Sequence, residues 1–228
     1  LVENSALDKV FLCNSGAEAN EGAVKLARKW GRINKNGPGE IITAYDSFHG
    51  RTMNMVAATA QPKYQEAWSP VPVGFVHVDF GDLDQVKAAT TNETVAVMLE
   101  PLQSEGGVNI PTTQYLKGVR EWCDERDLLL ILDEVTTGLG RLGTLFGYEA
   151  FGIEPDVMTL AKGLGGGVPI GAFMCNERAN VLEPGDHGST FGGNALTCAA
   201  ANASTRFLVD NDIPAHAAEV GEYLMTRL

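Results

Sequence analysis

Two residues with complementary chemistry stand out in this sequence: Lys162 in TLAKGLGGGVPIGA, and Asp133, 29 positions earlier, at the end of LLLILD. A lysine amine can hold an aldehyde as a Schiff base, and a carboxylate can keep a pyridine nitrogen protonated. Pyridoxal phosphate requires both groups from its protein. Taken singly, each residue has an ordinary explanation, since a lysine in a glycine-rich loop is commonly solvated and an aspartate after a strand commonly caps a turn.

A candidate anion site lies near the start of the chain, in NSGAEAN at positions 14–20. Ser15, Gly16 and Ala17 fall in the first turn of a predicted helix, where free backbone N–H groups and the helix dipole attract an anion. The same residues could serve only as a helix cap. A phosphate site is therefore one of two interpretations of this motif.

Two nucleotide-binding motifs offer rival explanations. LLLILDE resembles the metal-binding strand of a P-loop ATPase, but that fold needs GxxxxGK followed by Ser or Thr, and neither follows any lysine here. GLGRLG at positions 138–143 has the spacing of a dinucleotide-binding GxGxxG. It lies five residues beyond the predicted strand, however, and opens no recognisable helix, so the match is weak.

The elements that must position these residues follow a βαβ pattern. Helical periodicity is clearest over positions 17–30 and 113–126, and DNDIP at 210–214 divides an alanine-rich C-terminal stretch from Asn194 into two helices. We predict an α/β fold with a mostly parallel seven-stranded sheet flanked by helices, an α/β/α sandwich. The predicted strands are VFLC (10–13), EIITAY (40–45), GFVHV (74–78), TVAVMLE (94–100), LLLILD (128–133), DVMTLA (156–161) and IGAFMC (170–175).

The unusual segments all follow the carboxyl ends of predicted strands. Ligands of open α/β sheets bind outside these ends, where loops lead into helices. We therefore expect one functional edge of the sheet. It is formed by NSGAEAN, DSFHGRT, EPLQSEGG, DEVTTG and AKGLGGG.

Composition excludes several classes of function. A net charge of −12 argues against a nucleic-acid partner, which would need clustered basic residues. The longest apolar runs fall far short of the roughly 20 residues of a membrane span. Cys13, Cys123, Cys175 and Cys198 are too dispersed for a metal site or a disulfide framework, so we expect no metal and a reducing, cytoplasmic location.

Six motifs, in order along nearly the whole chain, resemble the class III aminotransferases, which act on ornithine, acetylornithine or 4-aminobutyrate. These are fold-type I pyridoxal-phosphate enzymes. The resemblance implies that residues 1–228 form the cofactor-binding large domain, without the N-terminal segment and C-terminal small domain of the family. The motifs are FLCNSGAEANEGAVKLAR, SFHGRT, EPLQSEGG, LDEVTTGLGRLG, TLAKGLGGGVPIGA and HGSTFGGN.

The resemblance also implies roles around the cofactor ring. Lys162 would bind the cofactor aldehyde and move the proton during catalysis, and Asp133 would pair with the pyridine nitrogen. Val135 would pack under the ring, and Phe48 would stack on its other face. Thr136 stands where the family usually has Gln in contact with the cofactor's phenolic oxygen, and the shorter side chain would reach that oxygen through its hydroxyl or through a water.

Further roles implied by the resemblance concern phosphate, substrate and partner. Ser15, Gly16 and Ala17 would bind the cofactor phosphate. Thr190 would reach the phosphate of a neighbouring subunit, which implies a homodimer with shared active sites. Arg51 would hold a substrate carboxylate, although a surface salt bridge is its ordinary explanation. Glu105 is characteristic of the ornithine and acetylornithine branch.

The expected reaction moves the terminal amine of N2-acetylornithine, or of ornithine, to 2-oxoglutarate. 4-Aminobutyrate and succinylornithine are alternative donors. A racemase or aminomutase of the same fold, or a non-catalytic binding domain, are the rival functions. His49 and His187 are not assigned to the catalytic set, because histidines beside glycine turns commonly pack loops.

Overall fold

A computed structural model describes residues 1–37 and 39–228, and it contains one seven-stranded sheet in the order β1-β7-β6-β5-β4-β2-β3. Strand β7 runs antiparallel to both of its neighbours, and the other four pairs are parallel. The mostly parallel sheet is therefore confirmed. The strands are β1 (Lys9–Cys13), β2 (Glu40–Ala44), β3 (Phe75–Val78), β4 (Thr94–Leu99), β5 (Leu129–Asp133), β6 (Val157–Leu160) and β7 (Gly171–Cys175).

Helices join most of the strands and follow the predicted pattern. The two periodic stretches and the divided C-terminal pair are present, and shorter helices lie between them. The α-helices of the described residues are α1 (Gly16–Asn34), α2 (Met53–Ala58), α3 (Pro62–Gln65), α4 (Leu83–Ala89), α5 (Thr113–Glu125), α6 (Gly147–Phe151), α7 (Ala195–Asp210) and α8 (Ile213–Met225). Residues 138–143 form turns and open no helix.

Two apolar layers cover the sheet, because alternate residues of each strand point to opposite faces. On one face, Leu26 and Trp30 of α1 pack with Leu129 and Ile131 of β5. On the other face, residues of α5 pack with Leu130 and its neighbours in β5. Strands buried on both sides explain the continuous apolar run LLLIL, and the α/β/α sandwich is confirmed.

The start of α1 is fixed by local and long-range contacts. The Ser15 side chain accepts a hydrogen bond from the Glu18 N–H, which makes Ser15 the N-cap. On the sheet side, a Cβ added to Gly171 of β7 would overlap the carbonyl oxygen of Ser15. Only glycine permits this approach, so β7 and the first turn of α1 are in direct contact.

No helix among residues 1–37 and 39–228 is both long and apolar enough to cross a membrane.

Candidate active site

A cavity of about 440 Å³ lies at the carboxyl ends of the parallel strands, on the predicted edge. Nine of the eleven predicted site residues line it, and Glu105 and Thr190 do not. Segments far apart in sequence thus meet at one place. The nine residues are Ser15, Gly16, Ala17, Phe48, Arg51, Asp133, Val135, Thr136 and Lys162.

Asp133 is the last residue of β5. One of its carboxylate oxygens accepts a hydrogen bond from the backbone, and the other contacts two side chains. Its Oδ1 accepts the Val135 N–H at 3.0 Å. Its Oδ2 accepts the Asn20 amide at 2.7 Å and lies 2.8 Å from His49 Nδ1. The side chain is only 3% exposed and still lines the cavity. The carboxylate is therefore held in one orientation.

Asn20 is a functional candidate that sequence reasoning missed, and His49 is one that it set aside as a loop-packing residue. Both are 1% exposed, and both contact Asp133. Burial by itself lowers the pKa of His49, but the hydrogen bond and charge of Asp133 outweigh it and raise the pKa. The one available signal was Asn20 on the buried face of α1, where a polar residue needs a partner.

Glu100, directly after β4, is a second buried acid behind the cavity. It is 4% exposed, and its Oε2 accepts the Phe48 N–H at 3.1 Å. Burial is the largest cause that raises the pKa of Glu100 to about 8; Asp133 adds to the rise, while His49 and Lys162 oppose it. Glu100 therefore holds the Phe48 backbone in place without adding a full negative charge at neutral pH.

Lys162 begins a short 3₁₀ turn, Lys162–Gly165, in an uncommon backbone conformation. Its φ is 38°, in the left-handed region that non-glycine residues rarely adopt. Such conformations cluster at functional sites. Its Nζ donates to Thr136 Oγ1 at 2.5 Å and lies 3.6 Å from Glu105 Oε1, so Glu105 reaches the lysine although it does not line the cavity.

The first turn of α1 forms one end of the cavity. A Cβ on Gly16 would lie 3.0 Å from both methyl carbons of Val135, so the helix start rests closely on that side chain. The Ser15 cap occupies the Glu18 N–H, which leaves the N–H groups of Gly16 and Ala17 toward the cavity they line. This arrangement suits a phosphate.

Arg51 lies on the cavity wall and stacks on aromatic rings. Its guanidinium carbon is 3.9 Å from the centroid of Tyr64 and 5.3 Å from that of Phe48. Among residues 1–37 and 39–228, no carboxylate lies within salt-bridge distance of it. The surface salt bridge that sequence reasoning offered as an alternative is absent there, and the N–H edge of Arg51 is available to a ligand.

Thr190 lies apart from this cavity, in a neighbouring depression lined also by Asn14, Glu18 and Phe191. Phe191 is 71% exposed. His187 packs against the stacked rings of Phe11 and Phe173 and contacts Lys25, which fits the loop-packing interpretation of that histidine.

Comparisons with known proteins find one family along the whole chain. A family model described as aminotransferase class-III matches residues 1–228. An acetylornithine aminotransferase of Methanothermobacter thermautotrophicus is 55% identical over 97% of this chain and 56% of its own length. One from Gloeobacter violaceus is 54% identical over 100% of this chain and 57% of its own. The chain thus spans little more than half the length of these relatives.

Solved structures show the same fold. An ornithine aminotransferase of Toxoplasma gondii superposes with a TM-score of 0.93 at 37% identity, over 97% of this chain and 54% of that one. An amine transaminase from an uncultivated Pseudomonas species, described as PLP-bound, has a TM-score of 0.89 at 28% identity, over 97% and 57% of the two chains.

Proposed function

The chain belongs to the class III aminotransferase family, and from that membership we propose that residues 1–228 form the cofactor-binding domain of an acetylornithine aminotransferase. The observation that carries the proposal is the cavity itself. It brings a lysine, a buried carboxylate and a helix N-terminus together at one edge of the sheet. The family and its structural neighbours use pyridoxal phosphate.

The residues present fit that cofactor. Asp133 offers the cavity a carboxylate whose orientation is fixed by Asn20 and His49. A Cβ on Gly16 would lie only 3.0 Å from the Val135 methyl carbons, so the start of α1 is close to the space above that side chain. Asp133 would hold the ring nitrogen, Gly16 and Ala17 the phosphate, and Lys162 the aldehyde carbon.

The bound cofactor supplies an electron sink for the bond that breaks at the donor carbon. The chain supplies the remaining chemistry. Once the donor's amine had displaced Lys162 from the aldehyde carbon, the freed Lys162 Nζ would take the proton from the carbon that bears that amine and return it on the cofactor side of the reacting bond. The Thr136 hydroxyl holds Nζ on the cavity floor. Val135 and Phe48 both line the cavity, where they would pack on the two faces of the ring and exclude water from it.

The proposed donor is N2-acetylornithine, with ornithine as the near alternative and 2-oxoglutarate as the acceptor. Relatives that are 50–55% identical over nearly the whole chain carry the name acetylornithine aminotransferase, which supports this choice. Arg51 offers the carboxylate of such a donor a planar, bidentate partner. Glu105 lies 3.6 Å from Lys162, within reach of the reacting end of the donor.

The proposed assembly is a cytoplasmic homodimer with shared active sites, in which Thr190 reaches the phosphate of a second copy. The exposed Phe191 beside Thr190 supports contact with another subunit. The buried thiols of Cys13, Cys123 and Cys175 support a reducing compartment.

Product analysis tests the reaction. The chain loaded with pyridoxal phosphate is incubated with N2-acetylornithine and 2-oxoglutarate, and glutamate is measured, with Lys162→Ala as the matched control. We expect glutamate from the wild type only. Glutamate from 4-aminobutyrate but not from N2-acetylornithine would overturn the donor assignment. Consumption of donor without glutamate would instead indicate a racemase or aminomutase.

A further inference from the structure

Arg51 stacks on aromatic rings and has no carboxylate within salt-bridge distance among residues 1–37 and 39–228, in contrast to an ordinary surface arginine. Tyr64 is the closer ring, at 3.9 Å from the guanidinium carbon. A stacked guanidinium uses its face for the ring and keeps its N–H donors in the plane, directed outward. Tyr64 does not line the cavity, whereas Arg51 does, so the ring acts on any ligand only through the arginine.

Tyr64 lies on a short segment that the surrounding backbone fixes in place. Gln65 Nε2 donates to the carbonyl oxygens of Val56, Ala57 and Thr59 at 3.0–3.3 Å. Gln61, at the start of the same segment, donates to the Ser47 carbonyl at 2.8 Å. These hydrogen bonds tie α3 to α2 and to the loop that follows β2, so the backbone that carries Tyr64 is held independently of any ligand.

The same ring carries a second cation. Lys63 Nζ lies 4.7 Å from the Tyr64 centroid, so two positive side chains adjoin one aromatic ring in a chain of net charge −12. Lys63 does not line the cavity, so of these two cations only Arg51 presents its charge to a ligand there, where it favours an anionic group. The Phe48 ring meets Tyr64 edge-on at 6.1 Å and completes the aromatic support.

We propose that Tyr64 is a positioning residue that holds the Arg51 fork over the cavity, so that the site selects amino donors bearing a carboxylate remote from the reacting amine. This rests on the proposed function. A free arginine side chain would lose its rotamer freedom each time it bound a carboxylate, and the fixed ring removes most of that loss in advance. Amines without a carboxylate gain no contact with the Arg51 guanidinium, so the site binds them more weakly.

Calorimetry on the cofactor-free chain tests the proposal with two probes, N2-acetylornithine and N-acetyl-1,4-diaminobutane, which lacks only the carboxylate. Tyr64→Leu should weaken binding of the first by about tenfold and of the second by less than about twofold. Tyr64→Phe keeps the ring and should restore wild-type selectivity. In the cofactor-loaded protein, Tyr64→Leu should raise KM for N2-acetylornithine and leave kcat nearly unchanged.

The matched control is Tyr223→Leu on α8. Tyr223 is also stacked by an arginine, Arg227 at 4.8 Å, and is 59% exposed. This exchange should change neither affinity. Tyr64→Gln provides a second ring-deleting variant should the leucine variant fail to fold, as judged by circular dichroism.

Arg51→Gln distinguishes the carboxylate subsite itself from the role of Tyr64 in it. If Arg51→Gln removes the preference for the carboxylate while the ring-deleting variants keep it, the role of Tyr64 is wrong and the carboxylate subsite stands. If Arg51→Gln keeps the preference, or the wild type binds the two probes equally or not at all, both the subsite and the inference are wrong. Loss of selectivity in Tyr64→Leu with recovery in Tyr64→Phe supports the proposal.

Discussion

At the floor of the cavity, the buried polar side chains of Asn20 and His49 are both in hydrogen-bond contact with the buried carboxylate of Asp133. Asp133 accepts hydrogen bonds from Asn20, His49 and the Val135 N–H, so its carboxylate cannot turn away from the cavity. Oriented groups of this kind need little reorganisation when a ligand binds. His49 contacts the Asp133 carboxylate and helps to fix its orientation.

Glu100 provides a prediction at this scale. Its pKa is raised by burial from 4.5 to about 8, so the folded chain keeps a proton that the unfolded chain has already lost. Wild-type stability should therefore fall as the pH rises from about 4.5 to about 8. Glu100→Gln removes this contribution while its side-chain oxygen can still accept the Phe48 N–H, so its stability should depend less on pH.

Urea unfolding at about pH 5 and about pH 8 measures the effect, with Glu3→Gln at an exposed position as the control. The wild type and the control should lose stability in parallel between the two conditions. Part of the fall should persist in Glu100→Gln, because burial also raises the pKa of Glu134, to about 7. A Glu100→Gln curve with the full wild-type slope would count against this account of Glu100.

Among the elements, the contact between β7 and the first turn of α1 governs the end of the cavity that we propose binds the cofactor phosphate. We predict that Gly171→Ala weakens the affinity for pyridoxal phosphate by about tenfold, because the added methyl group pushes on the Ser15 carbonyl and displaces the turn. Fluorescence titration with the cofactor measures this. Gly221→Ala on α8, where an added Cβ meets nothing within 4 Å, should titrate like the wild type. An unchanged affinity in Gly171→Ala would show that this contact does not position the site.

The elements were largely predictable, because periodicity and capping are local signals. All seven strands and the helices α1, α5, α7 and α8 appear at or near the predicted positions. The antiparallel direction of β7 was not specified by the sequence, since a buried strand reads the same either way. The short helices α2, α3, α4 and α6 carry too few turns to show a period.

The site was predictable only in part, for a related reason. Residues inside ordered motifs, such as Lys162 and Asp133, could be named because spacing relates them to strand ends. Asn20, His49 and Glu100 owe their importance to burial and to partners up to 113 residues away. No local sequence pattern encodes contacts between such distant residues. The contact of Tyr64 with Arg51 was not predicted for the same reason.

For the molecule as a whole, the two ends of the parallel strands carry different groups. The carboxyl ends carry the candidate site, and the amino ends carry an ionic cluster that we expect to stabilise the fold. At the edge opposite the cavity, Asp156 accepts hydrogen bonds from Arg120 at 2.9 Å, from Arg178 at 3.0 Å and from the Leu130 N–H at 2.8 Å. Burial opposes ionisation of Asp156, but the Arg120 charge and the hydrogen bonds from the Leu130 N–H, Asn176 and Arg120 outweigh it and lower its pKa. This ionic cluster joins α5, β5 and the segments around β6 and β7.

We predict that Asp156→Asn destabilises the fold by about 3 kcal/mol near neutral pH, because it leaves two arginines without their buried partner. The pKa of Asp156 is lowered from 3.8, so its contribution is present above that pH and is lost as the pH falls through the folded value. The deficit of the variant should accordingly shrink below about pH 4.

Denaturant unfolding and cofactor titration of the same samples check this separation. Asp124→Asn, which removes an Arg120 partner that is 63% exposed, should cost less than about 1 kcal/mol. Cofactor affinity should stay within about twofold of the wild type in both variants, because neither residue lies at the cavity edge. A large loss of affinity in folded Asp156→Asn would mean that the two edges are coupled.

The central claim is that the cavity holds pyridoxal phosphate through Lys162, and covalent trapping tests it most directly. The chain is mixed with the cofactor and reduced with borohydride, and its peptides are mapped by mass spectrometry, with Lys162→Ala in parallel. The account predicts that Lys162, alone among the eight lysines, carries a pyridoxyl group, and that Lys162→Ala carries none. Labelling spread over other lysines, or equal labelling of both proteins, would contradict it.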